Sequence, residues 1–306
     1  MSHTNQNNHF TSGFVAVVGY PNVGKSTLVN ALTGEKVSIV SSKPQTTRNR
    51  TMGILHRPNL QIVFLDTPGI HQPQDKLGEQ MVKGARGALE DVDVVLFVVD
   101  GTRSKPGRGD QRAANFLSGG SAPAILVVNK TDKICAGELD ERLAAYQKLA
   151  HFDGSIGVSA LTGARIPKLL DMVVARIPPG GPPYFPEDMV TDQPLTYLAG
   201  ELVREKILEL TQEEIPYSTA VVVREAEARP NDRFYIAADI IVERGSQKGI
   251  LIGKGGRMIK RIGEQARTDV EHLLGVGVYL DLFVRVEKRW RNRPDVLQEF
   301  GLLDEE

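Results

Sequence analysis

Short apolar runs separated by longer mixed segments dominate the first 180 residues of the chain. Uninterrupted runs of this length are typical of parallel strands that are buried on both faces, and the segments between them read as helices and loops. The pattern predicts an α/β fold with a doubly wound, mostly parallel sheet. The predicted strands cover residues 14–18, 60–65, 94–100, 124–128 and 155–158.

A proline-rich stretch, residues 177–186, ends this pattern, because it can neither continue a helix nor supply the donors of a central strand. Beyond it we predict a smaller α+β domain. Its elements are a helix over 194–210, strands over 219–224 and 234–243 with a polar turn at 230–232, a helix ending at Leu274 and a strand over 278–286.

The predicted organisation therefore has five parts. A flexible tail (1–12) precedes the first domain (13–177), a semi-rigid linker (178–194) precedes the second domain (195–293), and an acidic tail (294–306) follows.

Composition narrows the possible functions. The 306 residues carry a net charge of −1, so nucleic-acid binding requires a local basic patch. Cys135 is the only cysteine, which excludes an internal disulfide and suits a reducing compartment. The polar start lacks a signal peptide's apolar core, and no apolar run approaches about 20 residues. We expect a cytoplasmic protein.

The first predicted strand leads into a phosphate-binding pattern, GxxxxGK[ST], and a predicted helix follows it. Such a loop turns backbone N–H groups towards phosphates, the lysine adds a point charge, and the serine hydroxyl binds Mg²⁺. The predicted nucleotide-binding residues here are Gly19, Tyr20, Pro21, Asn22, Val23, Gly24, Lys25, Ser26 and Thr27.

Two further segments read as nucleotide sensors. In the polar loop over 38–50, Thr47 is the predicted second Mg²⁺ ligand, although the loop could be merely exposed and polar. Asp66-Thr67-Pro68-Gly69 ends the next strand, so Asp66 could hold Mg²⁺ through water and Gly69 could donate to the γ-phosphate. Alone, this tetrapeptide could be only a turn.

The tetrapeptide Asn-Lys-Thr-Asp at the end of the fourth strand indicates which nucleotide base is bound. The Asp132 carboxylate can accept hydrogen bonds from N1–H and N2 of guanine, which adenine does not offer. Asn129 would join the loops, and the Lys130 stem would lie over the base. We expect the backbone N–H groups of Ser159 and Ala160 to donate hydrogen bonds to guanine O6. Alone, this tetrapeptide could be a helix start.

These nucleotide motifs resemble those of GTPases, many of which place a glutamine that orients the attacking water at the position of Ile70. We therefore expect slow intrinsic hydrolysis, at or below roughly 10⁻⁴ to 10⁻² s⁻¹. The residues expected to act on the reacting phosphate are Lys25, Thr47, Gly69 and Asn22. The Asn22 side chain could also help to hold K⁺, which is a hypothesis.

The second domain contains a glycine loop between an apolar segment and a helix. The glycines permit close approach to a phosphodiester backbone, and the cations contact phosphates. The predicted RNA-binding residues are Ile252, Gly253, Lys254, Gly255, Gly256, Arg257, Lys260 and Arg261. The alternative is a glycine-rich helix start with a solvated basic face. Residues 288–293 could extend RNA binding, touch anionic lipid, or form a capped, solvated end.

The nucleotide motifs resemble those of translation-factor-like GTPases, and Gly253–Gly256 resembles the GXXG loop of type II KH domains. Their combination, from about residue 13 to 293, is similar to the Era family of bacterial ribosome-assembly GTPases. That resemblance implies GTP/GDP and Mg²⁺ as cofactors, and binding to the 3′ end of small-subunit ribosomal RNA during 30S assembly. It also implies peripheral association with the cytoplasmic face of the membrane.

We expect a monomer without a DNA partner. Two alternatives stay open. One is a sister-family tRNA-modification GTPase, and the other is a non-hydrolysing RNA-binding chaperone module with a vestigial nucleotide domain.

Overall fold

The computed structural model describes residues 10–135, 137–230 and 233–303. They form two compact units. The first contains the chain up to Ser38 together with Thr47–His71 and Met81–Asp192. The second contains Ile39–Thr46, Gln72–Gln80 and the chain from Gln193 onwards. Two short segments of the predicted first domain therefore belong to the second unit.

A six-stranded sheet, ordered β2-β3-β1-β4-β5-β6, forms the first unit. Four pairings are parallel, and only β2 runs antiparallel to its neighbour β3. The doubly wound, mostly parallel fold is thereby confirmed. The strands are β1 (Thr11–Gly19), β2 (Thr51–Arg57), β3 (Leu60–Asp66), β4 (Val94–Asp100), β5 (Ala124–Asn129) and β6 (Gly154–Gly157).

Alternate residues of the apolar strands enter two cores, one on each face of the sheet. Val15 and Val17 pack with helices α1 and α5, whereas Ala16 and Val18 pack with residues of α2, α3 and α4. Burial on both faces explains why these strands read as continuous apolar runs. The helices are α1 (Lys25–Thr33), α2 (Lys76–Gly87), α3 (Arg108–Asn115), α4 (Glu138–Tyr146) and α5 (Ile166–Val174).

Two features of this unit differ from the predictions. Strand β2 was not predicted, because it follows a polar loop without a turn signal and mixes polar with apolar residues. The predicted tail is shorter than expected, because β1 already begins at Thr11 and pairs with β3 from its first residue. Residues 1–9 of that tail lie outside the described part of the chain.

The proline-rich segment packs on the sheet of the first unit, where a spacer was predicted. The Gln61 side chain accepts hydrogen bonds from the backbone N–H groups of Tyr184 (2.6 Å) and Phe185 (3.0 Å). The Val190 carbonyl accepts a bond from Ile54 N–H at 2.9 Å. Side-chain burial of Phe185 and Met189 against β2 and β3 completes this attachment.

The second unit contains a three-stranded sheet, ordered β7-β8-β9, with β7 antiparallel and β9 parallel to β8. Residues of α6 and α9 pack with those of the sheet in two shared cores. The main elements follow the α-β-β-α-α-β order of the type II KH domain that the sequence resembles. The elements are α6 (Leu195–Leu210), α7 (Ile215–Ser218), β7 (Ala220–Arg229), β8 (Arg233–Val242), α8 (Gly245–Ile252), α9 (Arg257–Leu274), β9 (Gly277–Val286) and α10 (Pro294–Glu299).

The end of the chain is folded where an acidic tail was predicted. Helix α10 buries Val296 and Leu297, and the Phe300 ring lies 5.9 Å from the buried Trp290 ring. Residues 304–306 lie outside the described part. Within the residues that the structure describes, no helix has the length and apolar character needed to cross a membrane.

Candidate nucleotide site and RNA-binding loop

The carboxyl edge of the first sheet brings the predicted nucleotide-binding segments together. The phosphate-binding loop, residues 19–26, joins β1 to α1, which begins at Lys25. Gly24 has φ 94°, and a Cβ there would lie 2.4 Å from Asn129 Nδ2. Glycine is therefore required at the point where this loop meets the end of β5.

Lys25 is buried, and its Nζ lies 3.4 Å from the carbonyl oxygens of both Gly19 and Tyr20. Burial lowers the pKa of Lys25 to about 8, and the nearby Asp66 carboxylate offsets only part of that effect. A bound polyphosphate would favour the charged form. Lys25 is thus placed to bind an anion, and its burial does not stabilise the nucleotide-free protein.

Three oxygen donors meet beside Lys25. Ser26 Oγ lies 2.7 Å from Thr47 Oγ1, which lies 3.4 Å from Asp66 Oδ2. Asp66 is fully buried, and its Oδ1 has no hydrogen-bond partner among the described residues. Burial raises the pKa of Asp66 despite a hydrogen bond from Ser26.

Hydroxyl and carboxylate oxygens are ligands that Mg²⁺ prefers, and the orphaned Asp66 oxygen provides one position for the ion or for its bound water. These residues fit the predicted metal site. Mg²⁺ would supply charge neutralisation for the phosphates there.

The turn after Asp66 is fixed against the phosphate-binding loop. A Cβ at Gly69 would lie 2.6 Å from Pro21, and the Ile70 N–H donates to the Gly19 carbonyl at 3.1 Å. The Thr67 hydroxyl donates to the Val17 carbonyl at 2.8 Å inside the core. The Thr67 side chain therefore holds the turn to β1, and the expected contacts of Thr67 and Pro68 with the nucleotide stay a prediction.

Ile70 is buried in the core, with 2 % of its surface exposed. Its side chain packs with Ala16 and Val18, so it cannot orient a water molecule beside the phosphates. The expectation that this position contributes nothing to water activation is consistent with that burial.

Asn129 joins two loops, as expected. Its Nδ2 donates to the Val23 carbonyl at 2.9 Å, and its Oδ1 accepts from the Ala160 N–H at 3.0 Å. The Ser159 N–H is also engaged, by the Ala164 carbonyl at 3.1 Å, and the expected contact of both N–H groups with guanine O6 stays a prediction. Both N–H groups thus have partners inside the protein.

Ser159 contributes through its side chain instead. Its Oγ donates to Asp132 Oδ1 at 2.5 Å and fixes the carboxylate that was assigned to the base. Asp132 is exposed in the structure. Discrimination against adenine therefore depends on the base itself covering the carboxylate.

Lys130 Nζ donates to the Asn22 carbonyl at 2.6 Å and to Asp100 Oδ2 at 2.7 Å. Asp100 was missed by the sequence analysis. Its position at the end of β4, between the two strands that carry the motifs, was the available signal. Asn22 itself has φ 67°, and its proposed role in binding K⁺ stays a prediction.

In the second unit, the GXXG loop (Gly253–Gly256) separates α8 from α9. Gly253, Gly255 and Gly256 all have positive φ, at 72°, 62° and 77°. Helix α9 begins without a side-chain cap, so its first N–H groups face the loop. The four predicted phosphate contacts, Lys254, Arg257, Lys260 and Arg261, are all exposed.

A shallow cleft lies between α9 and the edge strand β9. Its lining includes residues that the sequence analysis did not select: Ile259, Gly263, Tyr279, Leu280 and Leu282. The helical spacing in α9 and the strand after it could have suggested them. Ile252, a predicted RNA-binding residue, packs partly against the core of this unit, as Ile259 and Leu280 also do. The RNA contacts themselves stay a prediction.

Most of the segment 288–293 has a structural role. Trp290 is buried and donates from Nε1 to the Ser218 carbonyl at 3.0 Å. Arg291 pairs with Asp75 at 2.9 Å and with Glu243 at 2.8 Å. Arg293 pairs with Glu287 and Asp295. Lys288 and Arg289 remain exposed.

The sheet topology and the converging loops define a P-loop GTPase that carries a C-terminal KH domain. Family models agree. Residues 14–130 match the family described as "50S ribosome-binding GTPase", and residues 214–291 match the KH domain family.

The particular family follows from the relatives, and the chain belongs to the GTPase Era family. It is 48% identical to GTPase Era of Heliobacterium modesticaldum over 290 residues, covering 95% of this chain and 96% of the relative. It is 49% identical to GTPase Era of Geotalea uraniireducens over 292 residues, with 95% and 98% covered.

Two solved structures are similar along almost the whole chain. Era in complex with MgGDPNP and nucleotides 1506–1542 of 16S ribosomal RNA has a TM-score of 0.93 and 44% identity, covering 97% of this chain and 100% of that one. A single-site variant of Aquifex aeolicus Era bound to GDP·AlF4⁻ has a TM-score of 0.92 and 44% identity, covering 96% and 100%. The protein is a GTPase.

Proposed function

We propose that the protein is a GTP-controlled RNA clamp that binds the 3′ end of small-subunit ribosomal RNA and assists 30S assembly in the cytoplasm. The nucleotide site holds Mg²⁺·GTP through Lys25, Ser26, Thr47 and Asp66. The similar Era structure with MgGDPNP and a 16S fragment supports both ligands.

The proposed control of RNA binding by the nucleotide rests on one observation. The segment Ile39–Thr46 belongs to the second unit, where Ile39 packs in the core with residues of α6. Val40 N–H donates to Glu205 at 2.8 Å, and the buried Arg204 donates to the Thr46 carbonyl. The next residue in the chain is Thr47, whose hydroxyl lies in the Mg²⁺ site.

A γ-phosphate with Mg²⁺ favours the ordered position of Thr47. Because Thr46 and Thr47 share a peptide bond, a change at Thr47 alters the strain on the segment that α6 holds. The γ-phosphate thereby biases the KH domain towards its RNA-competent arrangement, and hydrolysis removes the bias. The buried Ile70 keeps intrinsic hydrolysis slow, so that the bias persists until a partner acts.

The test measures RNA affinity in three nucleotide states. A fluorescent RNA with the sequence of the 3′ end of 16S rRNA is titrated with protein that is nucleotide-free, bound to GDP, or bound to Mg²⁺·GDPNP. We expect binding about tenfold tighter with GDPNP, which corresponds to about 1.4 kcal/mol of coupling. Equal affinity in all three states would contradict the proposal.

Arg204→Met provides the decoupled control. The variant removes the bond to the Thr46 carbonyl and the ion pair with Glu201 while keeping an apolar stem of similar length. We expect it to bind GDPNP and RNA separately, with little dependence of one on the other. A variant that retains full coupling would show that the bond from Arg204 to the Thr46 carbonyl does not transmit the effect of the nucleotide.

An anionic membrane surface is the weaker candidate partner. Lys288 and Arg289 are the exposed cations of the segment 288–293. Two basic residues near an anionic surface contribute only about 2 kcal/mol. Membrane association therefore enters the proposal only as a weak, salt-sensitive accompaniment to RNA binding.

A further inference from the structure

Asp100 ends β4 and lies outside every motif that identified the nucleotide site. Its Oδ2 lies 2.7 Å from Lys130 Nζ, and both side chains are largely buried, with 13 % and 27 % of their surfaces exposed. The same ammonium donates to the Asn22 carbonyl of the phosphate-binding loop at 2.6 Å. One lysine thus links β4, β5 and the phosphate-binding loop.

The carboxylate is itself held from its other side. Asp100 Oδ1 accepts bonds from the Thr102 N–H at 3.0 Å and from the Thr102 hydroxyl at 2.7 Å. Burial acts to raise the pKa of Asp100, but hydrogen bonds from Lys130 and Thr102 bring it below its ordinary value. Asp100 is therefore ionised at neutral pH with both oxygens engaged.

The backbone around Asp100 is anchored to the strand that carries the base-recognition motif. Gly101 N–H donates to the Asn129 carbonyl at 2.8 Å, and a Cβ at Gly101 would lie 2.7 Å from that oxygen. From α4, the buried Arg142 donates to the Gly101 carbonyl at 3.3 Å. The position of Asp100 relative to Lys130 is thus set by a fixed loop.

We propose that Asp100 is a positioning residue for guanine nucleotide binding, which holds the Lys130 ammonium against the Asn22 carbonyl so that the lysine stem is ordered before the base arrives. The inference rests on the proposed nucleotide site. A lysine side chain is flexible, and ordering it in advance lowers the entropy cost of binding. The same restraint keeps the lysine stem over the base after binding, so its loss should increase the rate of nucleotide dissociation.

The test is a double-mutant cycle on the dissociation rate of fluorescent GDP. We expect Asp100→Asn, which keeps the shape of the side chain, to accelerate dissociation about tenfold. Lys130→Ala should accelerate it at least as much. If Asp100 acts through Lys130, the double variant should dissociate no faster than Lys130→Ala alone, and Asp100→Glu should recover part of the loss.

Two controls separate positioning from folding and from the proposed function. Asp153→Asn alters a carboxylate that accepts the Ala124 N–H at 2.9 Å at the amino end of β5, and it should leave GDP dissociation unchanged. Thermal unfolding of each variant monitors stability. Failure of the unaltered protein to bind GDP would refute the nucleotide site itself.

A wild-type rate in Asp100→Asn would overturn the inference about Asp100 alone. So would multiplicative effects of Asp100→Asn and Lys130→Ala, because independent effects would show that the carboxylate does not act through the lysine.

Discussion

The nucleotide site and the GXXG loop, which we propose bind a nucleotide and RNA, have opposite arrangements of side chains. At the nucleotide site, Asn129, Lys130 and Asp132 are each fixed by a second protein group at 3.0 Å or less. At the loop, Lys254 and Arg257 are exposed and make no ion pair within the part of the chain that the structure describes.

The difference follows from what each ligand requires. Selecting one base among similar ones needs polar groups that are ordered before binding, since an unpaired group then penalises the wrong ligand. Holding a phosphodiester backbone needs close approach and positive charge, which act at any sequence and weaken with salt. Substitutions should therefore be severe and base-specific at the first region, but milder and salt-dependent at the second.

The largest effect is expected for Asp132→Asn. The asparagine amide would present N–H donors to the N1–H and N2 donors of guanine, whereas xanthine offers a carbonyl oxygen in place of N2. We expect GDP affinity to fall by about 10²-fold and preference to shift to XDP. Calorimetric titration with both nucleotides measures the shift.

The matched control for this substitution is Asp140→Asn, an exposed carboxylate of α4. It should leave both affinities at the wild-type value. If Asp132→Asn still preferred GDP to XDP, the assignment of Asp132 to the base would be wrong.

A smaller, salt-dependent effect is expected at the GXXG loop. Gly255 has φ 62° and ψ 29°, and a Cβ there would meet no atom within 4 Å, so Asp and Asn both fit. We expect Gly255→Asp to weaken RNA binding about tenfold more than Gly255→Asn, since only the former repels phosphates. The difference should shrink between 50 and 200 mM salt, roughly as screening grows.

Gly253 is the less informative position, because a Cβ there would lie 2.8 Å from the Met258 Cβ and any substitution would distort the loop. GDP binding provides the internal control for the Gly255 pair. Equal RNA affinities of the aspartate and asparagine variants at low salt would remove the GXXG loop from the RNA contact.

The same contrast explains what the sequence could reveal. Each nucleotide motif directly follows an apolar run, and parallel strands place their carboxyl ends at one edge, so Gly24, Asp66 and Asn129 could be brought together from sequence alone. The GXXG loop was similarly evident, because three glycines in four residues between helical segments have few other uses.

What could not be predicted depends on long-range partners. The N–H groups of Ser159 and Ala160 are engaged by Ala164 and by Asn129, and no local pattern indicates either pairing. The membership of Ile39–Thr46 in the second unit depends on Arg204 and Glu205, which are more than 150 residues away in the chain. Polar side chains that are buried by distant segments look like surface residues in the sequence.

The smallest expected effect is the pH dependence of GDP affinity that arises from the protonation of Lys25. It tests whether burial keeps this lysine partly neutral before the nucleotide binds. In the free protein burial lowers the pKa of Lys25 to about 8. Phosphates raise it again, so GDP binding takes up a proton wherever the free lysine is neutral. The affinity should therefore fall as pH rises through 8, by less than about tenfold per pH unit.

Calorimetry in two buffers of different ionisation enthalpy measures this proton directly. Because burial lowers the pKa of the free lysine to about 8, we expect GDP binding to take up more proton at pH 8 than at pH 6.5. No proton uptake at either pH would show that Lys25 is already charged before the nucleotide arrives. In that case its burial would impose no penalty for the phosphates to relieve, and the nucleotide site would resemble the exposed cations of the GXXG loop.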